Sequence, residues 1–168
     1  VVIFQPAEEG GGGGKVMCDD GLMTRWGIQE VYGMHNMPGL PLGSFAIREG
    51  AFFAATDTFR IEVEGLGGHA AKPQETVDTT VVAAQIVTAL QTVASRNHDP
   101  VKNLVVSVTS FRTESEAFNV IPQHVELRGT VRTMDPETRA MAEVRIKALC
   151  EGIAAGFGAR AEVAYVKG

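Results

Sequence analysis

From Asp57 to Lys167 the chain switches between apolar alternation of period two and two long apolar stripes of helical spacing, and that switching constrains the fold more than any other feature. Phe59, Ile61 and Val63 alternate with Thr58, Arg60, Glu62 and Glu64, the signature of a half-buried strand. A helix is expected from Asp78, a side chain suited to N-capping, with Val77, Val81, Val82, Ile86, Ala89, Leu90 and Val93 as its apolar stripe and an end near Asn97. Leu104, Val106 and Val108 mark a second strand. Val125, Leu127 and Val131 alternate with Glu126, Arg128, Thr130 and Arg132 in a third. Asp135 and Pro136 supply a cap and a first-turn proline for a second helix, with Met141, Val144, Ala148, Leu149, Ile153 and Phe157 expected inward and Gly158 as its stop. A last strand is expected over Arg160 to Val166.

The order βαββαβ is the ferredoxin-like split motif, with both helices on one face of an antiparallel sheet. Its ends can lie close together, so such a unit can be inserted into another domain. Residues 57–168 are therefore expected to form an α+β ferredoxin-like domain, and residues 1–56 to be part of an α/β domain. In that first part Val1 to Phe4 and Glu30 to Met34 are expected as strands, with a helix around Lys15 to Trp26 between them. The chain begins at Val1 with residues that look like the interior of a sheet, so a fragment of a larger protein is expected.

At 168 residues, 45% of them hydrophobic, the chain can bury a real core. A net charge of −5, a pI near 5.4 and no run of lysine or arginine argue against a nucleic-acid or anionic-membrane footprint and favour small-molecule partners. No apolar stretch reaches the length of a membrane span, and the start lacks the pattern of a signal peptide, so a cytoplasmic protein is expected. Cys18 and Cys150 belong to no C-x-x-C and support neither a disulfide framework nor a structural zinc site.

The chemistry-bearing residues cluster at the ends of the expected strands. Glu8 and Glu9 follow Val1 to Phe4 and Pro6, and open a run of five glycines from Gly10 to Gly14. Side chains just past such a strand point into the crevice where open α/β sheets bind ligands, and the glycines imply a sharp turn or a close backbone approach. Taken alone, adjacent carboxylates are more often a solvated acidic turn. His35 follows the second apolar strand at the same kind of edge. A lone histidine is more often structural, but a histidine beside carboxylates is what a hydrolytic metal site requires. His69 follows Gly67 and Gly68, which leave its ring unshielded; a simple loop histidine is the alternative.

Gly65, Gly67 and Ala70 fit G-x-G-x-x-A, but helix signals begin too late and no acidic residue ends a following strand, so a dinucleotide site is rejected. Gly14 and Lys15 fail as a phosphate loop, because Glu9 stands where a glycine is required and Val16 where a hydroxyl is required. Asn119 and Arg132 flank the third strand. For Arg132, a salt bridge to Glu62 or Glu64 across the sheet competes with bidentate capture of a substrate carboxylate.

FQPAEEGGGG, GMHN, GLGGHAA, VAAQIVTALQTVASRN, and NVIP followed by LRGTVRT together resemble the aminoacylase and carboxypeptidase family of metal-dependent amidohydrolases, in particular its bacterial hippurate hydrolase and N-acyl-amino-acid amidohydrolase branch. The resemblance runs over essentially the whole chain. It implies a metal-bearing α/β catalytic domain interrupted by a ferredoxin-like lid that also makes a homodimer. It further implies Glu8 as general base, Glu9 and His35 as metal ligands, and His69 as a lid residue reaching the partner subunit's site to stabilise the oxyanion. Asn119 and Arg132 match lid residues that hold the substrate, Arg132 through its free carboxylate.

The implied reaction is hydrolysis of the amide bond of an N-acyl or aryl-acyl amino acid, with one or two divalent metal ions in the complete enzyme. Zinc is the first expectation, and manganese, cobalt or nickel also suit mixed nitrogen and oxygen ligands. Catalytic zinc sites usually have three protein ligands, whereas Glu9 and His35 make two. The family's Gly-Cys-Gly-His-Asp type segment and its late histidine have no counterpart here, so the chain alone is expected to bind metal poorly and to be inactive. The competing expectation is a non-catalytic dimerisation or ligand-binding module.

Overall fold

The computed structural model describes residues 1–8 and 10–168, and the chain divides into two compact units, Val1–Phe52 with Gly168, and Phe53–Lys167. In the larger unit the chain runs β1 (Ala55–Glu64), β2 (Gly68–His69), a 3-10 turn at Pro73–Glu75, α3 (Thr79–Arg96), β3 (Leu104–Thr113), β4 (Val120–Ile121), β5 (His124–Thr133), α4 (Pro136–Gly156) and β6 (Arg160–Lys167). Before it lie two short helices, α1 (Gly13–Asp19) and α2 (Leu22–Arg25).

The long strands form one antiparallel sheet in the order β3-β5-β1-β6, and β2 and β4 form a separate two-stranded ribbon. Alternation decides which face is covered. Phe59, Ile61 and Val63 of β1, Val125, Leu127 and Val131 of β5, and Val106 of β3 are buried. They pack with Val82, Ile86, Leu90 and Val93 of α3 and Ala142, Ile146, Cys150 and Ala154 of α4. Both helices therefore lie on one face of the sheet. Gly129, on the buried face of β5, is opposite Phe59; a Cβ there would fall 2.1 Å from Phe59 Cζ and 2.3 Å from the Ser107 carbonyl oxygen, so the ring occupies the space a side chain would need.

The expected helix boundaries are present with their chemistry. Asp78 accepts from the backbone N–H groups of Thr80 (2.9 Å) and Val81 (3.2 Å), and Asp135 accepts from that of Thr138 (2.8 Å). At the end of α4 the Gly158 N–H meets Ala155 O and the Ala159 N–H meets Ala154 O, a Schellman stop. The α4 stripe holds in part: Met141, Leu149 and Ile153 pack against the core as expected, beside buried Thr138, Ala142, Ile146, Cys150 and Ala154, while Val144 and Phe157 are 64% and 50% exposed. Ala148 is exposed too. Apolar residues occur on nearly every side of this helix, and the face with small side chains is the one that fits against the sheet. Val81 likewise turns out to solvent from α3. Burial pushes the Cys150 thiol up to about 12, which leaves it an inert core residue.

In the Val1–Phe52 unit, Val1 to Phe4 and Glu30 to Met34 form no strand, contrary to the pattern. A strand is held by ladder partners, and none is present among the described residues: Val2, Phe4, Tyr32 and Met34 are each at least 80% exposed. The helix expected around Lys15 to Trp26 is two, interrupted where the Asp20 and Gly21 N–H groups close onto Val16 O and Cys18 O. No described helix is long and apolar enough to cross a membrane.

Asp57 is the charged residue of the buried set, 1% exposed at the start of β1. Its carboxylate accepts from Arg139 Nε of α4 at 3.0 Å to each oxygen, from Arg139 Nη2, and from the Tyr165 hydroxyl of β6 at 2.8 Å. Burial, with this donated hydrogen bond, pushes the Tyr165 phenol well above its ordinary value. Removing one partner of a buried pair leaves the other charge uncompensated. Arg139→Met should cost about 3–5 kcal/mol in urea unfolding. Arg139→Lys should recover only part of it, because an ammonium lacks the forked donor pair. A loss within experimental error for Arg139→Met would show that the clamp is dispensable.

Candidate active site

The glycine run does what its composition suggests. Gly11 and Gly12 adopt left-handed φ angles of 87° and 65°, and a Cβ on Gly13 would fall 1.7 Å from the Pro6 carbonyl oxygen. The backbone thus doubles back onto Pro6, and the Gly10 N–H reaches Ala7 O at 3.3 Å, so Glu8 sits exposed in a tight turn. Ala7 itself has φ 49°, uncommon for a residue with a Cβ and a form of local strain that gathers at functional turns. Glu9 lies outside the described residues. His35 is exposed in the same unit, its Nδ1 at 2.7 Å from the Asn36 carbonyl oxygen.

Among the described residues no three histidine, cysteine, aspartate or glutamate side chains gather closely enough to hold a metal ion. An imidazole at His35 and a carboxylate at Glu8 are donor types of hydrolytic metal centres but make up part of a ligand set.

His69 and Asn119, fifty residues apart, are brought together by the β2–β4 ribbon. His69 pairs with Val120, and the Ala70 N–H donates to Asn119 O at 2.9 Å. The Ala71 N–H donates to His69 Nδ1 at 3.1 Å. A backbone N–H only donates, so Nδ1 is the acceptor and the ring hydrogen sits on Nε2. The exposed imidazole is therefore set as a neutral Nε2–H donor beside Asn119.

Arg132 lies elsewhere. It stands opposite Thr56 of β1 and Val105 of β3, near the far end of β5, whereas Gln123, next to the start of β5, bonds the Gly65 N–H beside the ribbon. At roughly 3.3 Å per residue, Arg132 is about 26 Å along the strand from His124. The same register corrects the salt-bridge alternative. Glu62 and Glu64 stand opposite Glu126 and His124, and Glu62 is paired with Arg60. Arg60 and Arg128 share Glu126, whose carboxyl they hold below its ordinary value, Arg128 most strongly. Arg132 has no carboxylate partner among the described residues. Its Nη1 donates to Thr130 Oγ1 at 2.5 Å and approaches Val131 O at 3.5 Å.

With this geometry in view, comparison with known proteins is decisive. The profile of peptidase family M20/M25/M40 matches residues 1–155. The chain belongs to this family. It is 42% identical over 160 residues to N-acetylcysteine deacetylase of Bacillus subtilis (strain 168), covering 95% of this chain and 41% of that protein. It is 42% identical over 153 residues to hippurate hydrolase of Campylobacter jejuni, covering 91% of this chain and 40% of that protein. A crystal structure from Bacillus subtilis, described as a dinuclear metal-binding peptidase of the M20 family, superposes with a TM-score of 0.75 at 35% identity. It covers 98% of this chain and 39% of that one. The chain thus spans about two fifths of the length of these relatives. The family is one of metal-dependent peptidases, as the resemblance implied.

Thr130 was not singled out by sequence pattern, although its place two residues before Arg132 on the same side of β5 is a signal for contact. If the Ala71 contact fixes the ring, nitrogen NMR of His69 at neutral pH should find Nε2 protonated and Nδ1 bare. A majority Nδ1–H tautomer would overturn the donor assignment.

Proposed function

We propose that the whole protein hydrolyses the amide bond of N-acyl or aryl-acyl amino acids. The observation that carries this reading is His69, held as a neutral Nε2–H donor beside Asn119 in a chain of the M20/M25/M40 family. The relatives are named for deacetylation of an N-acetylated amino acid and for hydrolysis of hippurate, which supports that substrate class.

In this reading residues 1–56 are part of the metal-bearing catalytic domain, and residues 57–168 are a ferredoxin-like lid that makes a homodimer. Glu9 and His35 would hold one or two divalent ions, zinc first, with manganese, cobalt or nickel as alternatives, together with ligands from outside these residues. Such an ion, when bound, lowers the pKa of a coordinated water to about 7. Glu8 draws the proton from the attacking water and returns it to the leaving amine. His69 donates its Nε2–H to the oxygen that gains charge as the carbonyl becomes tetrahedral. Asn119 holds the amide, and Arg132 takes the free carboxylate through its forked donors.

The separation of these groups bears on the dimer. A small N-acyl amino acid spans about 7 Å, two residues of extended chain, far less than the distance along β5 between Arg132 and the ribbon. For both ends to meet one substrate, His69 with Asn119 must come from one copy and Arg132 from the other. Two impaired variants, His69→Ala and Arg132→Ala, should then regain activity in part when co-expressed, because one site of each mixed dimer is intact. Purified mixed dimers no more active than either variant alone would refute sharing of the site. Replacing Glu8 by glutamine in the whole protein should lower turnover by about 10²- to 10⁴-fold with folding unchanged. Near-normal turnover would remove Glu8 as the base.

A further inference from the structure

The outer face of β5 carries one hydrogen-bond chain that the reaction as described does not use. Thr130 Oγ1 donates to the Asp57 carbonyl oxygen at 3.0 Å, and Arg132 Nη1 donates to Thr130 Oγ1 at 2.5 Å. A hydroxyl has one hydrogen; once it is committed to Asp57, the oxygen can only accept from Arg132. The polarity of the pair is therefore fixed. Asp57 is itself immobile, since Arg139 and Tyr165 grip its buried carboxylate and β1 pairs on both sides. The Val131 carbonyl, at 3.5 Å from Nη1, is beyond good hydrogen-bonding distance. Nε and Nη2 of Arg132 meet no acceptor among the described residues.

We propose that Thr130 is a positioning residue that aims Arg132 at the substrate's free carboxylate. One guanidinium nitrogen is tied back to the rigid start of β1 through the threonine hydroxyl, and the edge bearing Nε and Nη2 is left open for a bidentate carboxylate. An arginine held in this way loses less freedom when the anion arrives than one waving from the strand. This inference rests on the reading of Arg132 as the carboxylate-binding residue given above.

The test is steady-state kinetics of the whole protein with an N-acyl amino acid and with the same compound carrying a terminal amide in place of the carboxylate. Thr130→Val keeps the shape and removes the hydroxyl. It should raise KM for the acid about three- to tenfold, the effect of one hydrogen bond, with kcat within twofold and the amide unaffected. Thr130→Ser should restore the KM. If Thr130→Val does not fold, Thr130→Ala on this outer face is read in its place. An unchanged KM in the hydroxyl-less variant, alongside a raised KM in Arg132→Ala, would overturn the role of Thr130 and leave that of Arg132 standing. An unchanged KM in Arg132→Ala would overturn both. An equal loss on acid and amide would mean that Thr130 acts on the fold and not on carboxylate capture.

Discussion

The larger unit is organised around one buried carboxylate. Asp57 opens β1, a strand paired on both sides, and its side chain is gripped by Arg139 at the start of α4 and by Tyr165 near the end of β6. An apolar core resists separation of helix and sheet but is non-directional, so it only weakly opposes sliding of α4 along its axis. A forked guanidinium on two carboxylate oxygens has one acceptable geometry. The clamp thus supplies what the core lacks, a fixed register between α4 and the sheet. The desolvation of Asp57 is the cost, offset by three donors converging on two oxygens. Its own backbone carbonyl is then a fixed acceptor on the opposite side of the sheet, where Thr130 reaches it.

Much of this unit was legible in the sequence because strand alternation and helix capping are local. Phe59, Ile61 and Val63 share a parity that only a one-sided sheet satisfies, and Asp78 and Asp135 cap where their side chains can reach the next turn's N–H groups. Asp57 has the same parity as Phe59. A carboxylate on the buried face of a strand signals a buried partner, but its identity, 82 residues away on α4, is a matter of topology and not of pattern. The α4 stripe held only in part, at Met141, Leu149 and Ile153, for a different reason. When apolar residues occur on every side of a helix, the buried face is chosen by side-chain volume against the sheet, and Ala142, Cys150 and Ala154 won over Val144 and Phe157.

The candidate site was legible in kind but not in arrangement. Glycines after Glu9 announced a close backbone approach, which Gly13 makes against Pro6. The strands expected on either side of that turn are unformed, because β-structure is a property of pairs and the pattern of one segment says nothing about whether its partner is at hand. His69 and Asn119 gave no sign of meeting, as a two-residue ribbon is too short to leave a periodic trace.

Arg132 shows how geometry separates two roles that sequence leaves equal. Three arginines, Arg60, Arg128 and Arg132, stand on the outer faces of neighbouring strands β1 and β5. Two of them converge on Glu126, whose charge, with that of Glu62 beside Arg60, offsets theirs and holds a solvated surface together at little net gain. The third is held by a hydroxyl that can only accept from it, and no carboxylate among the described residues balances its charge. A guanidinium ordered without a counter-charge does little for the stability of the unit that carries it, since neutral acceptors of this kind are also available from water. The ordering makes physical sense when an anion is to be received. In the proposed reaction the free carboxylate is then recognised at the β1 start of the sheet, away from the end where His69 faces the scissile carbonyl.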